Sequence, residues 1–532
     1  MKKIILLLMS VITLNSFSQK QDKSVGFEEP QGWSKLVQLK NNNTFFVEFT
    51  KKEGINVMLF DATRKKIASD KLTLTMIDDK LGYYIISGIY EIAGDVAIFY
   101  QKAEDRTPVL IRILIDGKTG KLKSEEKIAE LNKITTGDAY AAAFGDVDMP
   151  DLKIVKDPES DYYALIRYNT FAPETKDRIE VFHYSPQHKV INKANYTAPD
   201  NKYKFTKYLS AYVHKDDYVV IGTYAFNTKK SGGEEARFYV SQLAKGKTSF
   251  VQKELAYSEF YKGARGHFIY NNIKGTINMV LITDVEIKGD NRKYDIVFQS
   301  INPTTLQLEK PYKIDYTKAN DIYKNKLNRK DDFFGMIQGT FIDKNGNLIV
   351  LSQNTTIKYG NGSGIVGTFL GDFALITISP EGKVINTAVV PANVYVSGKH
   401  KEFNCNDIRT GYRPADSWDD PGLASEQYFA IDVITTDNSN YIFFNNTQEN
   451  MELPESEEPK LVKAISITTA VKYTYSNNTI KKEYIFGTPK DKKDNDFCNF
   501  SSSDYNASTK SYATLVTDPK TKKSSIVWLK LD

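Results

Sequence analysis

Four arginines occupy similar positions in the sequence, each at the end of a polar segment and directly before an apolar run. They are Arg106, Arg178, Arg237 and Arg292. A guanidinium group binds carboxylate, sulfate or phosphate through paired N–H donors, so such a row is typical of a site for an acidic glycan or a peptide carboxylate. Each arginine also has an acidic neighbour within three residues, and local surface ion pairing is the alternative interpretation.

Residues 392–427 concentrate a second set of polar and aromatic side chains. The candidates for ligand contact there are His400, Arg409, Tyr412, Arg413 and Trp418. An aromatic ring beside charged groups can stack on a sugar or clasp a peptide, which predicts ligand binding. The alternative is a structural cap in which Trp418 anchors the segment to the rest of the fold.

Histidine is scarce, with five residues in the chain. His267, expected at the start of a strand near the channel, is a candidate ligand contact, general base or metal ligand, and a packed, hydrogen-bonded histidine is the alternative. The letters G-x-G-x-x-G at 362–367 lack the following helix that a dinucleotide site needs. Adjacent carboxylate pairs rarely point the way that glycosidase chemistry requires. We therefore predict no catalytic residue, no metal and no cofactor.

The chain has two cysteines, Cys405 and Cys498. In an exported protein thiols tend to oxidise, so a single disulfide between them is one prediction. Two separate buried thiols are the alternative. A zinc site is not expected, because neither cysteine has a second Cys or a His at ligand spacing.

Short apolar runs must position these side chains. The runs are rich in aromatic and β-branched residues and are separated by turns of Asp, Asn, Gly and Lys, whereas stretches with helical period are almost absent. The clearest unit spans residues 336–391, with strands predicted at 337–342, 348–353, 373–379 and 384–390. This unit is a four-stranded antiparallel meander.

Similar units begin at seven further points. Their first strands are expected near Trp33, Tyr83, Asp151, Tyr208, Gly266, Tyr428 and Phe497. Eight starts at this spacing predict an all-β fold, a β-propeller of seven or eight four-stranded antiparallel blades. The strand at 525–531 is expected in the last blade, where an N-terminal segment would complete the sheet and close the ring. A two-sheet sandwich or two separate β-domains are the alternatives.

The turn and strand pattern can be read in FLGDF at residues 369–373, followed by ISPEGK at 378–383. With this pattern the chain resembles exported bacterial β-propellers of uncharacterised function. The resemblance covers most of the chain and implies the propeller fold. It implies no catalytic residues.

The two faces of the predicted propeller differ. Turns between strands a and b, and between c and d, are short and define the short-turn face, whereas the b–c loops and the connections between blades are long and define the long-loop face. Long loops usually serve binding or catalysis, and tolerated insertion is the alternative. We predict a single domain over residues 19–532 with loop insertions at 353–372, 392–427 and 447–460, working through its long-loop face.

The pattern of charged, apolar and small residues at 1–18 predicts a cleavable secretory signal peptide. Lys2 and Lys3 precede an apolar stretch at 4–14, and Ser16 and Ser18 are small residues at the positions a signal peptidase reads. The stretch of eleven residues is too short to span a bilayer. We therefore predict an exported protein, periplasmic or extracellular, without membrane insertion.

The charge of the chain excludes one class of partner. Removing Lys2 and Lys3 with the signal peptide lowers the formal charge from +5 to +3, and lysines alternate with Asp and Glu along the chain. A nucleic-acid binder would normally show a concentrated basic stripe, so nucleic acid is not an expected partner.

Two function hypotheses follow from these observations. The preferred one is a secreted, non-enzymatic propeller that binds a protein or glycan through its long-loop face, because no catalytic constellation stands out. The alternative is a carbohydrate-active enzyme, a polysaccharide lyase or glycosidase, acting at the channel mouth.

Overall fold

The computed structural model describes residues 21–532 except 79, 146–147, 200–201, 228–235, 256–261, 289–290, 361–364, 414–424, 477–478 and 491–494. The predicted signal peptide, Trp418 and part of the 362–367 glycine segment lie outside the described residues, and their sequence-based interpretations stay predictions.

Two short strands, β1 (Gln21–Lys23) and β2 (Phe27–Glu28), precede the first blade. Blade 1 contains β3 (Trp33–Gln38), β4 (Thr44–Thr50), β5 (Gly54–Phe60) and β6 (Lys66–Lys71). Blade 2 contains β7 (Tyr84–Ile92), β8 (Asp95–Glu104), β9 (Thr107–Asp116) and β10 (Leu122–Glu130). Blade 3 contains β11 (Asp151–Lys156), β12 (Tyr163–Tyr168), β13 (Ile179–Tyr184) and β14 (Val190–Tyr196). Blade 4 contains β15 (Phe205–His214), β16 (Tyr218–Phe226), β17 (Ala236–Ala244) and β18 (Val251–Glu254).

Blade 5 contains β19 (Lys262–Asn271), β20 (Thr276–Lys288), β21 (Asn291–Ile301) and β22 (Tyr312–Lys313). Blade 6 contains β23 (Gly335–Ile342), β24 (Leu348–Tyr359), β25 (Ile365–Ile378) and β26 (Val384–Val390), and β27 (Val394–Ser397) also pairs with β25. Blade 7 contains β28 (Asp432–Thr435), β29 (Asn440–Asn446), β30 (Thr469–Ser476) and β31 (Thr479–Tyr484). Blade 8 contains β32 (Phe497–Asn506), β33 (Ser511–Asp518) and β34 (Lys523–Lys530).

These eight antiparallel sheets confirm the predicted all-β propeller and select eight blades. The described helices are short: α1 (Thr136–Gly145), α2 (Thr317–Asp321), α3 (Asn404–Asp407), α4 (Ser425–Tyr428) and α5 (Gln448–Glu452). In the part of the chain that the structure covers, none of them has the length and apolar content to cross a bilayer.

The burial of each strand follows its place in the blade. Central strands such as β16 are buried along almost their whole length because neighbouring blades cover both faces. Outer strands such as β10 are mostly exposed and carry Lys and Glu. Between blades 1 and 2, the ring of Phe49 lies 5.7 Å from that of Tyr84 and 6.5 Å from that of Tyr100. Such aromatic contacts hold adjacent blades together.

The ring is closed by the N-terminal segment. β1 pairs antiparallel with β34, which makes it the outermost strand of blade 8, and β2 also pairs with β34. Just after β1, the backbone N–H of Ser24 donates to Ile526 at 2.9 Å, and the Ser24 hydroxyl accepts from the Ile526 N–H at 2.9 Å. The predicted completion of the last blade by an N-terminal segment is therefore found.

One predicted loop insertion needs correction. Most of residues 353–372 continue the strands β24 and β25, which pair from Leu348 with Ile378 out to Tyr359 with Ile365. The two arms of the hairpin contain β-branched residues such as Thr355, Thr356 and Ile357, which favour extended structure, and β27 pairs with residues 367–370 of β25. Blade 6 thus carries a long hairpin where the sequence indicated a loop.

Candidate ligand site in the central channel

The connection from blade 6 to blade 7 enters the channel. Residues 398–413, here called the channel plug, form hydrogen bonds with the inner strand of blade 2. The N–H of Ile86 donates to Tyr412 at 2.8 Å, the N–H of Tyr412 donates to Ile86 at 3.0 Å, and the N–H of Ile89 donates to Thr410 at 2.7 Å. The plug therefore adds an extra short strand segment along the inner edge of β7.

Ion pairs fix the plug to two other blades. Arg409 donates to Asp432 of β28 at 2.8 Å, and its guanidinium lies 5.1 Å from the ring centroid of Phe341. Arg413 lies 2.9 Å from a carboxylate oxygen of Asp151, the first residue of β11. Although burial alone would raise it, Arg413 and Lys153 hold the pKa of Asp151 well below its usual range. Both arginines therefore have carboxylate partners inside the channel.

Tyr412 and His400 are packed side chains in this structure. The Tyr412 ring stacks on Trp33 with centroids 5.3 Å apart and planes 27° apart. His400 is buried, and its Nε2 lies 2.7 Å from Gln338 Oε1. Burial lowers the pKa of His400 to about 4, so the imidazole is neutral at pH 7. The part of the 392–427 segment that is described thus acts in good part as a structural cap.

The two cysteines are free and buried, so the predicted disulfide is wrong and the alternative of two separate thiols holds. Cys405 lies in α3 of the plug, and its Sγ donates to the carbonyl of Ile431 at 2.8 Å. Cys498 lies on β32 in blade 8. Burial raises the pKa of both thiols. The two cysteines belong to different apolar clusters, Cys405 with residues of blades 6 and 7 and Cys498 with residues of blades 7 and 8.

Of the four arginines before strand c, the three with described side chains do not line the channel cavity. Arg106 is exposed at the b–c turn of blade 2. Arg178 donates to the carbonyls of Ala172, at 3.2 Å, and Lys204. Arg237 pairs with Glu254 at 3.0 Å. The side chain of Arg292, at the start of β21, lies outside the described part. Ligand binding at these positions stays a prediction, and so does ion pairing with the neighbouring acidic residues, because the described contacts of Arg178 and Arg237 are with more distant residues.

A cavity of about 970 Å³ lies between the plug and the inner strands of blades 2 to 5. Its wall includes residues of β7, β11, β15 and β19, and the plug tip at 406–413 forms the opposite side. Pro158, in the a–b turn of blade 3, lies at its rim and is exposed. The cavity therefore reaches the short-turn face. Its volume is in the range of pockets that bind small organic ligands.

Tyrosines form one wall of the cavity. They are Tyr90, Tyr208, Tyr212 and Tyr270. The rings of Tyr212 and Tyr270 stack with centroids 4.9 Å apart. Burial raises the pKa of Tyr90 to about 12, partly offset by a hydrogen bond from Thr410. These hydroxyls are therefore protonated at neutral pH, and the Tyr212 hydroxyl already has a partner, His214 Nδ1, at 3.0 Å.

Charged groups also line the cavity. The cavity wall includes Lys153, Lys156 and Lys401, and Asp407 of the plug projects into it with an exposed side chain. Protein surrounds the Asp407 carboxylate in most directions, and this desolvation raises its pKa, while Lys153, Arg413 and Lys401 lower it in part. Among the described residues of the cavity wall, Asp407 is the single carboxylate.

His267 also lines the cavity, although it lies midway along β19 instead of at the strand start. Its ring centroid lies 5.5 Å from that of Phe403 in the plug. Burial lowers the pKa of His267 to about 4. The side chain is therefore a neutral imidazole at pH 7. Among the described residues, no cluster of three or more potential metal ligands is present.

The structure thus brings four predicted candidates to one place, His267, Arg409, Tyr412 and Arg413. Sequence reasoning missed the wall residues Tyr90, Lys153, Tyr208, Tyr212 and Tyr270 as site residues. A usable signal existed, since all five lie in the predicted first strands of their blades, and first strands line the channel. What the sequence does not show is which side chains of those strands face inward.

Gly411 allows the plug to lie close to β7. A Cβ on it would lie 2.4 Å from the carbonyl oxygen of Ile86, so Gly411→Ala must displace the plug from β7. We expect a loss of about 1–3 kcal/mol in the free energy of unfolding, measured by urea denaturation. Gly82→Ala is the control, because nothing lies within 4 Å of its Cβ position. Equal stability of the two variants would contradict the plug geometry.

The fold and the cavity define an eight-bladed β-propeller with a plugged channel. No protein-family model and no curated protein matches the chain. Among solved structures, the polysaccharide lyase Uly1 shares 10% identity over 84% of this chain and 90% of its own, with a TM-score of 0.38. A prolyl endopeptidase shares 11% identity over 94% of this chain and 55% of its own, with a TM-score of 0.37. The WD40 domain of SCAP from fission yeast shares 7% identity over 97% of this chain and 98% of its own, with a TM-score of 0.34. These values assign neither a ligand nor an activity to this chain.

Proposed function

We propose that the protein is a glycan-binding β-propeller whose ligand occupies the channel cavity. The observation that carries the proposal is the cavity wall, which combines tyrosine rings with lysines and one carboxylate. Ring faces stack on the apolar faces of sugars, and the polar groups around them orient the hydroxyls. This proposal moves the working site from the long-loop face, favoured by the sequence, to the channel and the short-turn face.

We prefer binding over hydrolysis because the described part of the cavity wall has one carboxylate. Most glycosidases need two carboxyl groups that flank the scissile bond. Asp407 is the single carboxylate among the described wall residues, and Asp151 and Asp432 are engaged with arginines. A two-carboxylate mechanism therefore lacks its second group in this part of the cavity.

The binding proposal is tested with the purified chain from residue 19 and a panel of neutral and acidic oligosaccharides, using calorimetry. Tyr270→Leu removes a ring from the wall and should weaken binding roughly 3- to 10-fold, as expected for loss of one aromatic stacking contact. The control is Tyr359→Ala, since Tyr359 is 59% exposed on the blade 6 hairpin, outside the cavity. If Tyr270→Leu binds glycans with unchanged affinity, the hypothesis that the cavity is the binding site is wrong.

A carbohydrate-active enzyme is the second candidate, and the raised pKa of Asp407 favours it. Desolvation raises the pKa of Asp407, and a carboxyl group with a raised pKa is better suited to give a proton to a leaving sugar oxygen. The same oligosaccharides are assayed for new reducing ends and unsaturated products. Under this candidate, Asp407→Asn should lower product release by at least 100-fold with little change in binding. If none of the bound glycans gives products, the enzyme candidate is excluded and the binding proposal remains.

We also propose that the mature chain is exported and works in the periplasm or outside the cell, which the pattern of residues 1–18 supports. Expression of the full sequence in a bacterial host with fractionation should place the protein outside the cytoplasm. N-terminal sequencing of that fraction should begin at Gln19. A cytoplasmic protein that still begins at Met1 would contradict export.

A further inference from the structure

We infer that the cavity selects a neutral glycan, whose hydroxyl groups form hydrogen bonds with His267, Asn404 and Gln427. This inference rests on the proposed function, because it assigns a chemical class to the ligand of the same cavity. The starting point is that these three uncharged polar side chains line the cavity and have no hydrogen-bond partner among the described residues.

His267 and Asn404 lie close together in the cavity wall. The ring centroid of His267, on β19, lies 5.5 Å from that of Phe403, the residue directly before Asn404 in the plug. β19 is itself held in place, since the N–H of Phe268 donates to the Ser210 hydroxyl of β15 at 2.9 Å. Within the described part of the chain, neither the imidazole nor the Asn404 amide is used in a hydrogen bond that stabilises the fold.

Gln427, in α4 before blade 7, shows the same property. It lines the cavity and is 5% exposed, and neither amide atom of its side chain has a hydrogen-bond partner in the described structure. The next residue fixes α4, because the Tyr428 carbonyl accepts from Asn445 Nδ2 at 2.6 Å and the Tyr428 ring lies 5.5 Å from Phe497. A buried amide without a partner costs stability, so its presence in a fixed wall position indicates a ligand.

The hydrogen-bonding capacity of these side chains distinguishes neutral from anionic ligands. The neutral imidazole of His267 has one donor and one acceptor, and each amide has two N–H donors and an acceptor oxygen. A sugar hydroxyl both donates and accepts, so it can pair with either kind of atom. A carboxylate or sulfate group only accepts, and it would leave the acceptor atoms of all three side chains unpaired.

The charges of the wall do not require an anion either. Lys153 Nζ and Arg413 Nη2 each lie 2.9 Å from a carboxylate oxygen of Asp151, and Asp407 is a second carboxylate whose charge interacts with both cations. These two positive groups are therefore matched by two negative groups. A neutral glycan leaves these contacts intact, whereas an anionic ligand would compete with the two carboxylates for the same cations.

The first test needs no ligand. His267→Leu should leave the melting temperature of the free protein equal to that of the wild type or higher, because leucine is apolar and removes an unpaired imidazole. His400→Leu is the matched control, since His400 is also buried but its Nε2 lies 2.7 Å from Gln338 Oε1. This variant should lower the melting temperature by roughly 2–6 °C. An equal fall in both variants would identify His267 as a structural residue and overturn the inference.

The second test compares matched trisaccharides by calorimetry. The panel includes trisaccharides of β-linked glucose and of α-linked galactose, each beside the form in which every primary alcohol is oxidised to a carboxylate. The neutral member of the pair that binds should have an affinity at least about 10-fold above that of its acid. Its affinity should also change by less than about 2-fold as salt is added, because no ligand charge is screened.

Two variants connect this preference to the unpaired side chains. His267→Leu should weaken binding of the neutral glycan that binds most tightly by roughly 5- to 30-fold, and Gln427→Leu should cause a similar loss. His267→Gln keeps a donor and an acceptor, so its affinity should stay within about 3-fold of the wild type. Thermal melting of each variant verifies that it is folded before binding is compared.

Each outcome decides between the inference and the proposed function. If an acidic glycan is the tightest ligand, or if His267→Leu or Gln427→Leu binds with unchanged affinity, the inference is overturned. Glycan binding in the cavity then remains, because Tyr270→Leu tests it separately. If no member of the oligosaccharide panel binds, both the inference and the proposed function fall.

Discussion

Replacing Arg329 by methionine should lower the free energy of unfolding by about 3–5 kcal/mol. Arg329 and Asp372 form the most deeply buried ion pair described here, with Nε 2.9 Å from a carboxylate oxygen and side chains 6% and 5% exposed. Arg329 also donates to the carbonyls of Leu327, at 2.6 Å, and Glu457, at 3.2 Å. The variant would leave the Asp372 carboxylate buried without its counter-ion.

The protein itself offers the controls for this prediction. Burial already raises the pKa of Asp372, and Arg329 lowers it in part, so loss of the arginine favours the protonated acid. Arg329→Met combined with Asp372→Asn should recover part of the lost stability, because the buried charge is gone. Lys133→Met breaks an exposed pair with Asp105 and should change the stability far less, because water screens both charges. A similar loss in Arg329→Met and Lys133→Met, measured by urea denaturation, would contradict this account.

Acidification should destabilise the propeller through its buried histidines. The pKa of His400 falls from 6.5 in the unfolded chain to about 4 in the fold because of burial. The fold therefore favours the neutral ring, and its stabilising contribution is complete above pH 6.5 and is lost as the pH falls toward 4. At His400 alone the loss amounts to roughly 3 kcal/mol.

Buried carboxylates with raised pKa, such as Asp504, act in the opposite direction, so a single variant must isolate the histidine. His400→Gln keeps a hydrogen-bonding side chain that cannot titrate. The difference in unfolding free energy between wild type and His400→Gln should be constant from pH 8 to 7 and should shift in favour of the variant by roughly 3 kcal/mol by pH 4. Parallel stability curves over this range would show that His400 does not titrate in the window given by its burial.

The fold could be predicted because a blade is a local unit. Each meander is defined by nearby turn residues and by apolar runs, and the eight predicted starts lie close to the first strands of the eight blades, for example Asp151 at the start of β11 and Phe497 at the start of β32. The exception is the long hairpin of β24 and β25. Its outer half needs β27 as a partner, and that pairing is not visible in the local pattern.

The candidate site was harder to predict because it depends on contacts between distant segments. Arg409 and Arg413 were found as candidates from their composition, but their partners Asp432 and Asp151 lie in other blades. The position of the plug follows from backbone bonds between Tyr412 and Ile86, which no local pattern indicates. Lys153 and Arg413 both contact the Asp151 carboxylate, a contact between blade 3 and the plug that the local sequence does not indicate.

The closure of the ring by β1 also determines when the protein can finish folding. Ser24 and Ile526 are separated by 502 positions, so their hydrogen bond forms only after nearly the whole chain has been made. Hairpins inside each blade form from close neighbours and have no such delay. The entropy of joining the ends grows slowly with length, by about 0.6 kcal/mol for each doubling, so the final step is late without being prohibitive. Until it occurs, the edge of β34 is open, and a second copy of the chain could pair with it.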